Sequence, residues 1–540
     1  TLPQHAARGA ITDRSGTVLA QDETVYDVYL RVPAPPGTNL RETVNTIAAL
    51  TGGKDVETQL AAFCSAVSAG ELPVTQGLDS IGAAAYYRAG LVQSGAVRLA
   101  ARGVRRWPDG TILPHTLGFT GPVTAEQWPA ARAQGLAMDA TIGQNGLEAA
   151  YDTLLRGRDG QLQINVGLDG VTREAVQTSA PVPGCTLVLT LDADLQKTLQ
   201  TALQNQMDTL RTTKGIGAGR EVRAGAAVVV DVRTGGILAA ASLPDFDLSR
   251  YRSDYAALSA DSTAPLLDRV CQGLYAPGSA FKPAVAAAAL TAGIDPAATV
   301  NCTGKYFYYS NYHPGCLQYG HRGPVDLRTA LEYSCNIFFY DTGRRLGVDT
   351  FSAMARQLGL ANDTGVEITA AQGRLTWSTD TNYQDGLTLM AAIGQGNTAV
   401  TPLQLAQYAA ALANYGRKPT LHFADRAVQP ATGAAVWQYE PAFTEIPGGE
   451  AVFGPIRDGM KRMAQTARAL REAPVTVAAK TGSPQLADTL PGGSHYVNSV
   501  LIGYAPADDP QIAMAVVLEY GGGGANGAPV MRAVLDAWFE

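Results

Sequence analysis

The chain has 540 residues and a net charge of −7, with 46% apolar and 16% charged residues. This length predicts more than one domain, and the composition excludes general disorder. The sequence contains no long basic block and no apolar run of about eighteen residues, which argues against a nucleic acid partner and against a membrane span within the chain.

The first 185 residues predict one irregular, elongated α+β module. Gly, Pro and Asp punctuate short apolar stretches that predict a turn, strands and capped helices. The predicted elements are a turn at 13–16, a strand at 24–32, helical patches within 39–105 including a helix at 41–50, strands within 105–121, a helix at 124–133 capped by Thr124 and Gln127, and short strands at 160–190.

After a break near residues 181–184, the pattern changes to that of an α/β domain over 186–540. Buried strands appear near both ends of this segment, and helical patterns dominate its middle, which predicts a single sheet covered by helices. The predicted elements are a strand at 186–191, a helix at 192–210, a hairpin at 224–242, helices within 265–420, strands at 474–480, 497–504 and 511–519, and a helix at 529–539.

Ser279 and Lys282 form the first candidate catalytic pair. Of only eight lysines in the chain, Lys282 alone has a serine three residues before it. Pro283 is tolerated only in a first helical turn, so the helix is expected to begin near Ser279, with both side chains on one face. A helix N-terminus favours a developing oxyanion, and a desolvated lysine can act as a base. By itself, this motif also fits a serine-capped helix with a solvated lysine.

Two further motifs follow in order. Ser334-Cys335-Asn336 lies 55 residues after Ser279, at the start of an apolar helical run, and Lys480-Thr481-Gly482-Ser483 lies 201 residues after it, at the end of a predicted strand. Either motif could be an ordinary helix cap or strand end. The three together, in this order and spacing, make a specific signal.

The trio resembles that of the penicillin-binding proteins and serine β-lactamases. The resemblance implies that Ser279 is acylated, that Lys282 accepts its proton, and that Ser334 relays protons to the leaving group. It further implies substrate contacts in which Asn336 holds an amide, Lys480 and Thr481 attract a carboxylate, Gly482 lets the substrate approach the strand, and the backbone N–H groups of Ser279 and Ser483 form the oxyanion hole.

Further segments resemble class B penicillin-binding proteins specifically. They are the opening residues 8–16, residues 106–121, residues 146–157, and the stretch 394–404, in which Thr401, Pro402 and Gln404 predict a capped helix. We expect these segments to be structural punctuation. The resemblance covers nearly the whole chain, and it implies a non-catalytic pedestal (1–185) before a transpeptidase domain (186–540).

The sequence favours a transpeptidase over a β-lactamase. No segment between Asn336 and Lys480 matches the E-x-x-L-N pattern with which β-lactamases of class A activate water. Glu367 is the nearest loop acid, and we interpret it as a surface residue. The leading module is also too short for a glycosyltransferase domain. A β-lactam hydrolase, a D,D-carboxypeptidase and a non-enzymatic β-lactam sensor or scaffold are the alternatives.

Cysteine and histidine residues cluster between the first two motifs. Cys302, Cys316, His321 and Cys335 supply a Cys₃His ligand set for a structural zinc ion, and elongation-type class B enzymes that resemble this chain can hold zinc here. A Cys302–Cys316 or Cys316–Cys335 disulfide, or buried thiols, are the alternatives, and His313 is an alternative fourth ligand. Cys64, Cys185 and Cys271 are interpreted as core residues.

The resemblance therefore implies a peptidoglycan D,D-transpeptidase that acts on stem peptides ending in D-Ala-D-Ala and is inhibited by β-lactams. It implies an elongation or sporulation type, and a cell-wall synthesis complex that contains a glycosyltransferase. It also implies a position on the extracytoplasmic face of the bacterial membrane, with an N-terminal helical anchor that would precede Thr1.

Overall fold

A computed structural model describes residues 2–32, 34–51, 70–138, 140–166, 172–213, 215–316, 321–491 and 493–540. It has the predicted mixed α/β architecture, with an α+β pedestal followed by a domain built on a central antiparallel sheet. Within these residues, no helix combines the length and apolar character that crossing a bilayer requires.

The pedestal contains short helices and several antiparallel strand pairs. Its strands are β1 (Leu2–Gln4), β2 (Ile11–Thr12), β3 (Val18–Val32), β4 (Gly70–Leu78), β5 (Val97–Arg106), β6 (Thr120–Pro122), β7 (Thr141–Gly143), β8 (Gly160–Val166) and β9 (Thr172–Ser179). Its helices are α1 (Leu40–Leu50), α2 (Ser80–Arg88), α3 (Pro114–Leu117), α4 (Trp128–Ala133), α5 (Gly146–Ala150) and α6 (Asp152–Leu155).

Two parts of the pedestal differ from the sequence prediction. Helical patches were expected within residues 39–105, but this range also contains β4 and nearly all of β5, both paired with β3. Strands were expected over 105–121, where β5 ends at Arg106 and only α3 and β6 follow. The Ala- and Arg-rich sequence of β5 carries little strand signal, so long-range pairing decides its conformation. The Thr124–Gln127 capping box is confirmed by reciprocal hydrogen bonds.

The second domain places its strands at both ends and most helices between them. Its strands are β10 (Thr186–Leu189), β11 (Gly225–Asp231), β12 (Ile237–Leu243), β13 (Val300–Cys302), β14 (Gly323–Val325), β15 (Arg417–Pro419), β16 (Ala424–Val428), β17 (Ala435–Gln438), β18 (Phe443–Glu445), β19 (Ala478–Gly482), β20 (Gln485–Thr489), β21 (His495–Val497), β22 (Ser499–Ala505) and β23 (Ile512–Leu518).

Eleven α-helices of this domain lie within the described residues. They are α7 (Ala193–Arg211), α8 (Tyr251–Ala260), α9 (Lys282–Thr291), α10 (Leu327–Glu332), α11 (Asn336–Leu346), α12 (Val348–Gln357), α13 (Asp385–Ala392), α14 (Pro402–Ala413), α15 (Gly449–Thr466), α16 (Arg468–Arg471) and α17 (Ala528–Phe539). Short 3₁₀ turns occur at Leu248–Arg250, Gly278–Phe281 and Gly524–Gly527.

The central sheet has the strand order β12-β11-β23-β22-β19, with every neighbouring pair antiparallel. Its residues are almost all buried, because helices cover both faces. Alternate residues of β11 enter different cores: Val228 and Val230 join the core that contains α9 and α14, whereas Ala227 and Val229 join the one that contains α7 and α17. The predicted sheet, assembled from both ends of the segment, is thereby confirmed.

A second sheet joins the pedestal to the catalytic domain. Its order is β17-β16-β10-β2-β3-β4, with β5 also paired to β3. β10 lies between pedestal strand β2, to which it is parallel, and β16, to which it is antiparallel. The backbone ladder therefore continues across the predicted boundary between residues 185 and 186.

Glu367 reinforces this junction, and its interpretation as a surface acid is wrong. The half-buried carboxylate accepts backbone hydrogen bonds from Phe423 at 3.0 Å and Ala424 at 2.9 Å, and one from the hydroxyl of pedestal residue Tyr151 at 3.1 Å. Proximity to this carboxylate, after burial, raises the pKa of Tyr151. Glu367 is thus a bridge between the two modules.

Candidate active site

The nucleophile motif lies at the start of a buried helix, as predicted. A 3₁₀ turn at Gly278–Phe281 contains Ser279 and continues directly into α9, whose second residue is Pro283. Gly278 adopts a φ of 55°, a conformation that favours glycine. The turn therefore fixes Ser279 and Lys282 about one helical turn apart, at a helix N-terminus.

Strand β19 and a glycine loop approach this turn so closely that side chains would not fit. A Cβ on Gly482 would lie 2.2 Å from the carbonyl oxygen of Pro277, and a Cβ on Gly394 would lie 2.1 Å from that of Gly278. The Gly278 N–H donates to the Gly394 carbonyl at 2.9 Å. Gly394 thus does more than the structural punctuation expected of its segment, because it supports the turn before Ser279.

The same approach brings the backbone of Ser483 to the nucleophile turn. The Ser483 amide nitrogen lies 3.2 Å from the position that a Cβ on Gly278 would take. The Ser483 hydroxyl accepts a hydrogen bond from the Gly524 N–H at 2.8 Å, which holds the end of β19 in place. The N–H groups of Ser279 and Ser483, predicted to form the oxyanion hole, are thus carried by two adjoining segments.

The hydroxyl of Ser334 lies between two lysines from different motifs. Lys282 Nζ is 3.1 Å from Ser334 Oγ, and Lys480 Nζ is 3.0 Å from the same atom. Lys282 also donates to the Ser334 carbonyl and to Asn336 Oδ1, each at 2.7 Å. Four of the five predicted catalytic residues therefore form one hydrogen-bonded group.

Both lysines are completely buried, and no carboxylate pairs with either among the described residues. Burial lowers the pKa of Lys282 to about 7. Burial, followed by repulsion from Lys282, lowers the pKa of Lys480 well below its usual value. Because an unpaired buried charge is costly, this arrangement favours a neutral amine on at least one lysine and suits an incoming anion.

The fifth predicted catalytic residue, Ser279, is half-buried, and its hydroxyl has no hydrogen-bond partner among the described residues. Its oxygen is thus available to a substrate carbonyl rather than engaged with Lys282. The role predicted for Thr481, a hydrogen bond to a substrate carboxylate, stays a prediction. Strand alternation turns this side chain away from the face of Lys480, and its Oγ1 lies 4.0 Å from the sulfur of Met463.

One supporting contact gave no signal in the sequence. The Tyr275 hydroxyl donates to Glu519 Oε1 at 2.7 Å, and Arg269 Nε donates to the same oxygen at 2.9 Å. Tyr275 also exchanges backbone hydrogen bonds of 2.9 Å with Val400. These contacts tie the chain just before Ser279 to the end of β23. Glu519 is an isolated acid in the sequence, so only the fold reveals its partner.

The predicted Cys₃His set converges beside the active site. The ligand atoms of Cys302, Cys316, His321 and Cys335 are buried and lie within 4.8 Å of one another. The Cys316 sulfur is 3.7 Å from His321 Nε2, and zinc–sulfur bonds of about 2.3 Å in a tetrahedron imply ligand separations of about 3.8 Å. The donor set therefore fits zinc.

The other cysteine and histidine residues singled out in the sequence lie in different environments. His313 lies outside this ligand group, and its ring contacts Phe307 at 4.9 Å. No disulfide joins the described cysteines. Cys271 is in the core as expected, Cys185 is only partly buried, and Cys64 is outside the described residues.

Comparison with known families assigns both modules. The penicillin-binding protein transpeptidase domain matches residues 225–536, and the penicillin-binding protein dimerisation domain matches residues 3–189. The first match alone covers more than half of the chain. The chain therefore belongs to the penicillin-binding proteins that carry a transpeptidase domain after a dimerisation domain. The exact boundary at 185/186 stays a prediction.

Within that family, the chain resembles enzymes of the MrdA, or PBP2, type. It is 28% identical to the peptidoglycan D,D-transpeptidase MrdA of Acinetobacter baumannii, over 99% of this chain and 81% of that protein. A solved peptidoglycan synthase complex that coordinates polymerization and crosslinking contains a chain 29% identical to this one, with a TM-score of 0.79 and coverage of 100% and 91%.

A second solved structure shares the fold. It is the complex between PBP2 and MreC from Helicobacter pylori, with a TM-score of 0.79, 23% identity, and coverage of 100% of this chain and 98% of that one. At this identity the comparison supports the architecture alone.

Gly482→Ala tests the close approach of β19 to the nucleophile turn. Because the new methyl group would collide with the Pro277 carbonyl, we expect the rate of acylation by labelled penicillin to fall about a hundredfold. Gly523→Ala is the matched control, since a Cβ there would meet no atom within 4 Å. Equal acylation rates in wild type and Gly482→Ala would contradict the argument.

Proposed function

We propose that this chain is a peptidoglycan D,D-transpeptidase that cross-links stem peptides through an acyl-enzyme on Ser279. The observation that carries the proposal is the pair of buried lysines on Ser334, next to an unengaged serine hydroxyl in a domain of the transpeptidase family. The same chemistry makes Ser279 the target of β-lactams, whose strained amide acylates the serine in place of the peptide.

In acylation, Ser279 Oγ attacks the carbonyl of the penultimate D-Ala while its proton passes to the neutral amine of Lys282. The N–H groups of Ser279 and Ser483 stabilise the oxyanion that forms. The C–N bond then breaks, and the terminal D-Ala leaves as an amine protonated through Ser334. In the second half, the amine of another stem peptide attacks the ester carbonyl and loses a proton to the amine of Lys282. The ester C–O bond then breaks, and Ser279 Oγ takes that proton back from Lys282.

Electrostatics favours a substrate that ends in a carboxylate. Lys480 lacks an acidic partner among the described residues, so a bound carboxylate would pair with its protonated amine. Asn336, whose side chain lies 2.7 Å from Lys282 Nζ, would hold the substrate amide. The Thr481 hydroxyl would reach the carboxylate after rotating away from Met463.

The alternatives of a β-lactam hydrolase and a D,D-carboxypeptidase require efficient attack by water on the acyl-enzyme. Glu367, the one loop acid considered for that role, binds the backbone of Phe423 and Ala424 instead. In the described part of the chain, no carboxylate hydrogen-bonds to Ser279, Lys282 or Ser334. A long-lived ester that waits for an amine acceptor fits this site better than rapid hydrolysis.

The assembly and location of the protein follow by analogy. A relative that is 29% identical to this chain is a component of a solved peptidoglycan synthase complex. We infer a cell-wall synthesis complex that includes a glycosyltransferase, on the extracytoplasmic face of the bacterial membrane. A helical membrane anchor before Thr1, and a role of the elongation or sporulation type, are parts of the same proposal.

We also propose that Cys302, Cys316, His321 and Cys335 hold a structural zinc ion. When bound, the ion would supply a closed tetrahedral link and no catalytic chemistry. Cys302 ends β13, and Cys335 is the N-cap of α11, so the site would fix the loop between them to the Ser334 motif. The buried His321 Nδ1, without a partner among the described residues, would be left as the non-ligating nitrogen.

Mass spectrometry after incubation with penicillin tests the proposed function. We expect one stable adduct on Ser279, no adduct in Ser279→Ala because the nucleophile is gone, and an unchanged adduct in Ser259→Ala, an exposed serine on α8. Absence of labelling in the wild type would reject the enzyme. Rapid turnover of nitrocefin without a stable adduct would favour a hydrolase instead.

The pH dependence of acylation tests the role of Lys282. Burial lowers its pKa to about 7, and only its neutral amine accepts the serine proton. The acylation rate should therefore rise between pH 6 and pH 8, with a midpoint near 7. Lys282→Arg keeps the positive charge but supplies no neutral base, so it should lose acylation throughout. A flat profile in the wild type would contradict this role.

Metal analysis tests the zinc proposal. The purified protein should contain about one zinc per chain, and Cys316→Ser should remove it and lower the melting temperature by about 5 °C or more. Cys185→Ser, which changes a cysteine outside the ligand group, is the control. Metal-free protein with a Cys316–Cys335 disulfide would reject the proposal.

A further inference from the structure

Three aromatic side chains lie exposed on the loop between β13 and β14. Phe307 is 63% exposed, Tyr308 is 59% exposed and Tyr312 is 38% exposed. Together these three residues are called the aromatic surface. Groups of exposed apolar rings are uncommon on protein surfaces, and they often mark sites of interaction. The inference drawn from this surface rests on the proposed function.

The aromatic surface is held in place rather than collapsed onto the core. The Arg344 guanidinium lies 3.9 Å from the ring centroid of Tyr308 and also donates to the Tyr306 hydroxyl at 2.9 Å. Tyr312 packs beside Gly386 at the start of α13, where a Cβ would lie 3.5 Å from the ring. Rings fixed in this way lose little conformational freedom when a ligand binds.

The loop that carries the aromatic surface also contacts the catalytic group. Asn336 Nδ2 donates to the Gly315 carbonyl at 3.2 Å, and Asn336 is the residue that would hold the substrate amide. From Asn336, α11 runs toward Arg344, eight residues later, which is about 12 Å along the helix axis. Tyr308 therefore lies roughly two helical turns from the amide-binding position.

This distance matches the architecture of a peptidoglycan donor strand. The stem peptide joins the sugar through its amino end, and its D-Ala-D-Ala end reacts with the serine. About three residues of extended peptide separate the amide at the penultimate residue from the sugar, and they span about 10 Å. A donor held by Asn336 has no room on α11 itself, because residues 337–340 of that helix are buried. Extended over the exposed loop in front of the helix, it would bring its sugar to Phe307 and Tyr308.

We propose that the aromatic surface is a subsite for the glycan sugar of the donor strand. A pyranose ring has an apolar C–H face and a rim of hydroxyl groups. The Phe307 ring and the face of Tyr308 opposite Arg344 offer apolar surfaces, with the Tyr308 hydroxyl at one edge. The subsite would make the enzyme select a stem peptide that is attached to glycan over the same peptide alone.

Paired donors test this proposal. A disaccharide pentapeptide and the free pentapeptide are each offered to wild type and to the double variant Phe307→Ala/Tyr308→Ala, and kcat/KM is measured from release of D-Ala. The donor ratio is kcat/KM for the disaccharide pentapeptide divided by kcat/KM for the free pentapeptide. This ratio should fall by about tenfold in the variant. Tyr255→Ala, which removes a 51% exposed ring on α8, is the matched control and should keep the wild-type ratio.

Penicillin labelling of Ser279 separates failure of the function from failure of the subsite. No labelling of the wild type would reject the proposed function. Labelling with an unchanged donor ratio in the double variant would overturn the subsite, and would leave the surface as a contact for another protein. If the double variant loses labelling, Tyr308→Leu keeps an apolar group over Arg344 and should still lower the ratio.

Direct binding supplies a second measurement. The peptide-free disaccharide is titrated into the full chain while the fluorescence of a label beside the loop is recorded. Saturable binding by the wild type, lost in Tyr308→Leu, is the expected result. Binding of equal strength in both proteins, or no binding by the wild type, would overturn the subsite.

Discussion

The hydrogen bonds that Ser334 Oγ receives from Lys282 and Lys480 are the constraint on which the rest of the domain depends. Two protonated amines with no acid beside them would repel each other and lose their hydration. The surrounding fold must therefore hold the two side chains together. Strand β19 and helix α9, which are far apart in the chain, each hold one of the two lysines in place. The lowered pKa of Lys282 places a proton acceptor beside the nucleophile, and the lowered pKa of Lys480 leaves its charged form to be stabilised by a bound anion.

The sequence predicted much of this site because its chemistry depends on local motifs. Pro283 located the helix start, and a run of apolar residues located β19, so the positions of Ser279 and Lys480 on their elements followed. Their mutual distance could not follow from local pattern. It depends on the antiparallel order of the central sheet, and on glycines whose missing side chains allow two backbones to touch.

Other features escaped prediction because they depend on partners far away in sequence. Glu367 and Glu519 look like ordinary acids until the fold supplies Tyr151 to one and Tyr275 to the other. The strand β5 is similar, since its pairing with β3 outweighs an Ala- and Arg-rich sequence that suggests a helix. Thr481 is a different case. Its motif was recognised in the sequence, but the contact of its side chain with Met463 could be seen only in the fold.

The sheet shared by the two modules has a consequence for how the protein folds. Because β10 is bonded to β2 on one side and to β16 on the other, separating the modules would leave an unpaired strand edge on each. Neither edge is covered by its own module, so the unpaired N–H and C=O groups of each edge could form hydrogen bonds with another chain. The pedestal and the catalytic domain are therefore expected to unfold as one cooperative unit, although the two families they match are distinct and the chemistry belongs to only one of them.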